Sequence, residues 1–90
     1  MEKRINPEYK EELRNLNDRL FDKEHELERQ RMAVSAARYY LASDPTDDEL
    51  VYNLHGAMAN LRAKQKEVDD LRQQLEEMLN KVWENIIPND

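Results

Sequence analysis

Two sets of five aliphatic residues at seven-residue spacing constrain this chain more than any other feature: Leu13, Leu20, Leu27, Val34 and Leu41, then Leu54, Leu61, Val68, Leu75 and Val82. Seven residues are close to two turns of α-helix, so each set lines one side of a helix and needs apolar surface to cover it. The companion positions of the same repeat are Tyr9, Leu16, Lys23, Gln30 and Ala37 in the first half, and Leu50, Ala57, Lys64, Leu71 and Met78 in the second. Each stripe is therefore mostly apolar at its ends and polar in its middle.

Local signals bound the two helices. Asn6-Pro7-Glu8 reads as a start, with Asn6 as cap, Pro7 at the first helical position and Glu8 favoured by the helix dipole. Ser43-Asp44-Pro45-Thr46-Asp47-Asp48-Glu49 reads as a turn, with Thr46 and Glu49 at capping-box spacing and Asp44-Pro45 as an alternative cap. Pro88 is expected to end the second helix. The expected fold is all-α: an antiparallel two-helix coiled-coil hairpin that dimerises into a four-helix bundle. A single domain is expected over 1–90, with helix 1 at about 7–42, a turn at 43–46 and helix 2 at about 46–87.

Folding back at the turn is expected to set Leu41 against Leu54, Val34 against Leu61, Leu27 against Val68, Leu20 against Leu75 and Leu13 against Val82. The same register brings Gln30 near Lys64 and Gln65, and Lys23 near Arg72, with Glu26 and Glu67 beside them. Polar layers of this kind cost stability and fix register.

Composition agrees with this reading and narrows the function. One glycine and three prolines in 90 residues are too few for the turns of a β-sandwich or barrel, and no apolar stretch is long enough to span a membrane. With 38% charged residues, the outer faces should be solvated. A net charge of -6 argues against nucleic-acid binding, which depends on Lys and Arg neutralising phosphates. The absence of cysteine removes thiol chemistry and disulfide frameworks. The first residues contain no apolar core of a secretory signal, so cytoplasmic residence is expected.

Residues left over after the seam is filled carry the functional reading. Near the turn, Tyr39, Tyr40, Tyr52, Gly56, Ala57 and Met58 are nearly all small or aromatic, a composition that lets further helices approach closely. Near the C-terminus, Leu79, Trp83, Ile86 and Ile87 form a second candidate interface patch, unless Trp83 packs over the start of helix 1. Chemistry is harder to find. His25 and His55 fall far apart in the expected hairpin; Asp22 and His25 have the spacing of a di-iron motif but no second such segment; and a chain with one glycine has no phosphate-binding loop. No catalytic residue, cofactor or metal is expected.

The Leu41-Ala-Ser-Asp-Pro-Thr-Asp turn between two helices resembles, in shape, the proline-containing bend of type III secretion needle subunits and of the small hairpin chaperones that escort them. It is a generic turn device, and no family membership is drawn from it. The expected function is a non-catalytic protein–protein interaction module of adaptor, chaperone or scaffold type, whose partners are itself and another protein. The alternative is a small acidic phage-type inhibitor. In that reading Glu67, Asp69, Asp70, Glu76, Glu77 and Glu84 occupy a basic, nucleic-acid-binding surface of a target.

Overall fold

The computed structural model describes residues 2–4, 6–84 and 87–89, with side chains described over 6–84. Its elements in chain order are β1 (Glu2–Arg4), α1 (Pro7–Ser43), α2 (Asp48–Glu84) and β2 (Ile87–Asn89). The two long helices pack as an antiparallel hairpin. The short strands pair antiparallel, Glu2 with Asn89, Lys3 with Pro88 and Arg4 with Ile87, a ribbon too short to change the class of fold. Proline is tolerated there because a strand of a two-stranded ribbon has an unpaired edge.

The start of α1 is as expected. The Glu8 amide donates to Asn6 Oδ1 at 3.0 Å, and the Asn6 carbonyl accepts from Tyr9 and Lys10. The start of α2 differs. The Asp47 amide donates to the Asp44 carbonyl at 3.2 Å, closing a tight turn with Pro45 in its second position, where proline's fixed φ is suited. No described non-glycine residue has positive φ, which makes this a type I-like turn. That turn puts Thr46 before the helix, where its hydroxyl donates to Asp44 Oδ1, and leaves Asp47 as the cap: Asp47 Oδ1 accepts from the Glu49 and Leu50 amides at 2.9 and 3.2 Å. Thr46 is not the capping residue, and α2 begins at Asp48 rather than at 46. Its other end comes earlier than 87. α2 is described to Glu84, and Ile87, which precedes Pro88 and is therefore driven to extended backbone, lies in β2.

The chain divides into two compact units, Met1–Asp22 with Asp69–Asp90, and Lys23–Val68. The first, the terminal unit, has a core of Leu20, Leu71, Met78 and Val82. In it the Lys81 ammonium lies 5.1 Å from the centre of the Tyr9 ring. The second, the turn unit, has a core of Leu27, Val34 and Val68, with Val68 fully buried. Every one of these core residues belongs to the two seven-residue repeats.

Across the middle of the seam Glu26 bonds to Lys64 and Lys23 pairs with Glu67, the pairings that the expected register allows, and the Arg31 guanidinium donates to Gln65.

Candidate functional site

The polar middle of the seam lies in the turn unit and is fully accounted for by local bonds. Glu26 Oε2 accepts from both Lys23 Nζ and Lys64 Nζ, at 3.4 and 3.5 Å, and Lys23 also pairs with Glu67 at 3.3 Å. Hydrogen bonds to Glu67 and Glu26 raise the Lys23 pKa above the ordinary lysine value. The hydrogen bond and charge of Lys23, with a smaller contribution from Lys64, hold the Glu26 carboxyl below the usual glutamate value. Gln30 does not bond to Lys64 or Gln65. Its amide donates 2.9 Å to the Ala57 carbonyl, while Gln65 accepts from Arg31. The cluster reads as a register device, with each polar group turned onto a partner.

No polar side chain is buried among the described residues, so an enclosed polar site is absent from them. Among the same residues no group of three or more histidine or acidic side chains is placed to hold a metal ion. No described helix is long and apolar enough to cross a membrane.

What the structure does present is exposed apolar surface, unevenly distributed. In the turn unit, Tyr39 (72% exposed), Tyr40, Tyr52 (77%), Met58, Met32 and Val51 all stand in solvent. Tyr39 and Tyr40 meet edge to face, ring centres 5.8 Å apart and planes at 75°. Met32, Tyr39 and Tyr52 occupy the same heptad position, on the helix side opposite the seam, so no adjustment of the hairpin could cover them. Gly56 is exposed on the outward side of α2, with nothing within 4 Å of where a Cβ would stand. Ala57 belongs elsewhere: it is half-buried in the seam, with its carbonyl engaged by Gln30. Its smallness serves the contact between α1 and α2.

In the terminal unit Trp83 is 75% exposed and does not pack over the start of α1. Leu79, about half exposed, forms one wall of a surface groove completed by Lys10, Leu13, Arg14, Asn17 and Leu75. Ile86 lies outside the described residues, and Ile87 is described only by its backbone pairing with Arg4.

The sequence reading passed over Met32 and the basic pair Arg62 and Lys66. The signal for the pair was available: α2 carries no charged residue from Leu50 to Leu61, and this run is bracketed by Asp48 and Glu49 before it and by Arg62 and Lys66 after it. Fold and surface together define a helical hairpin whose solvent side is unusually apolar in one unit. No family model matches the chain, and comparison with curated proteins and with solved structures yields no match. The functional reading therefore rests on the surfaces just described.

Proposed function

We propose that the chain is a non-catalytic protein–protein interaction module of adaptor, chaperone or scaffold type, which self-associates through its turn unit into a four-helix bundle. The observation that carries this reading is the set of tyrosines, methionines and valine standing in solvent on the two helices of the turn unit, left over once both seven-residue stripes are covered. Tyrosine suits such a role, since it brings a large apolar ring and a polar tip at low conformational cost. The Trp83 and Leu79 surface of the terminal unit is the candidate site for a second protein. Cytoplasmic residence and indifference to nucleic acid belong to the same proposal.

The test is solution mass by light scattering over a range of concentrations, for the wild type and for Tyr39→Ser combined with Tyr52→Ser, beside a pull-down with Trp83→Ala as control. A dimer that the double tyrosine variant abolishes is the expected result. A wild type that stays a single chain throughout and retains no protein through Trp83 would overturn the reading.

The acidic-inhibitor alternative has one observation in its favour: Glu67, Asp69, Asp70, Glu76, Glu77 and Glu84 are all exposed on α2. It requires that the protein compete with nucleic acid for a basic target and that high salt abolish the competition.

A further inference from the structure

Resting on the reading of the turn unit as a self-association surface, and on that alone rather than on a bundle with one shared core, we propose that a second copy of the chain docks antiparallel on the outward face of α2, about a two-fold axis at Gly56. The acidic end of each α2 then meets the basic pair of the other. The outward face of α2 is ordered by charge. Asp48 and Glu49 open it, Tyr52, Gly56 and Ala59 follow, and Arg62 and Lys66 close it; all of these are exposed. Asp48 precedes Gly56 by about 12 Å along the helix axis, while Arg62 and Lys66 follow it by about 9 and 15 Å. Acid and base thus stand at matching distances on either side of one residue. Rotation by half a turn about that residue superimposes the acidic end on the basic one, which makes the face complementary to itself.

The charges are available for such a contact. Among the described residues Asp48, Glu49, Arg62 and Lys66 take part in no ion pair, whereas Lys23, Glu26, Lys64 and Glu67 are engaged in the seam. The parallel arrangement would set acid on acid and base on base, and repels itself.

The steric pattern has the same centre. Gly56 is the chain's one glycine and lies within a helix, where glycine is disfavoured relative to alanine. Nothing inside the chain calls for it, because its φ is not positive and a Cβ there would meet open space. Close passage of a second helix is a use for the missing side chain. In the antiparallel pairing each Tyr52 ring comes to lie over Ala59 of the other copy, large on small, on both sides of the glycine contact.

The experiment uses two charge-reversed forms of the full chain, Arg62→Glu with Lys66→Glu, and Asp48→Lys with Glu49→Lys, studied by sedimentation equilibrium at low and high ionic strength. Expected results are a wild-type dimer that weakens with salt, and a loss of affinity of at least about tenfold at low salt for either form alone, since several weak attractions turn repulsive together. Mixing the two forms restores association, because both contacts of the mixed dimer are then attractive. Circular dichroism confirms helicity, and Asp48→Asn with Glu49→Gln serves as a milder form because Asp48 and Glu49 also favour the start of α2. Reversed forms that dimerise as tightly as the wild type, a mixture no tighter than its components, or a dimer strengthened by salt would each overturn the proposal. The broader reading would survive these outcomes if Tyr39→Ser with Tyr52→Ser still gave single chains. A wild type that never associates overturns both.

Discussion

Replacing Gly56 by alanine should push folding and association in opposite directions. A glycine within a helix is less favourable than alanine by about 0.8–1.0 kcal/mol, because the unfolded chain loses more conformational freedom there. That gain is usually reduced by the strain of a new Cβ. Here the Cβ would stand in open space, with no atom within 4 Å and no positive φ to correct, so the hairpin should gain nearly the full amount. For a domain of this size about 1 kcal/mol corresponds to a rise in Tm of roughly 4–8 °C. The assay is thermal unfolding followed by circular dichroism, with protein diluted below the point at which it associates. At higher concentration the same variant should dimerise more weakly, because the added methyl groups meet where two helices pass. A lower Tm in the dilute sample would refute the reasoning about Gly56, since it would mean that the glycine serves the single hairpin. A higher Tm with undiminished dimer affinity would remove Gly56 from the contact.

Two further results are expected. Leu27→Ala empties a site that is 2% exposed in the core of the turn unit and should cost about 3–5 kcal/mol, a large part of the roughly 5–14 kcal/mol expected of a chain this long. Urea unfolding measures it, and a loss below about 1 kcal/mol would show that the seam is not closely packed there. The Glu26 cluster should give stability a shallow, salt-sensitive dependence on pH. Because the Glu26 pKa is lowered on folding, its contribution is present above the ordinary glutamate value and is lost as pH falls through the lowered value. Because the Lys23 pKa is raised, its contribution is complete below the ordinary lysine value and is lost as pH rises through the raised one. Glu26→Gln should flatten the acid side of the profile, and an unchanged acid side would count against the pairing.

Much of the local structure was legible in the residues because its causes are local. Asn6, Pro7 and Glu8 contain everything needed to start α1, and the turn was evident from Asp44 and Pro45. The choice between Thr46 and Asp47 as cap was not evident, since both residue types cap well. It was decided by the hydrogen bond that closes the turn on Asp44 and leaves Asp47 as the first residue able to reach the free amides of α2. The tyrosine and Trp83 surfaces were visible as apolar residues in excess of what one stripe per helix requires. Ala57 was counted in both sets: the repeat put it in the seam, where it is half-buried, and its smallness put it among the interface residues as well.

The seven-residue repeats by themselves determined that there would be two helices, which side of each would be buried, and that Lys23, Gln30 and Lys64 would interrupt the seam. These follow from the period of the helix and the cost of exposing aliphatic side chains, and both act along a single chain segment. Only the tertiary structure decided that Gln30 turns onto the Ala57 carbonyl and that the chain ends pair as strands. Those outcomes depend on how side chains fill space between two surfaces. Packing of that kind couples residues far apart in sequence, and no periodicity within one helix encodes it.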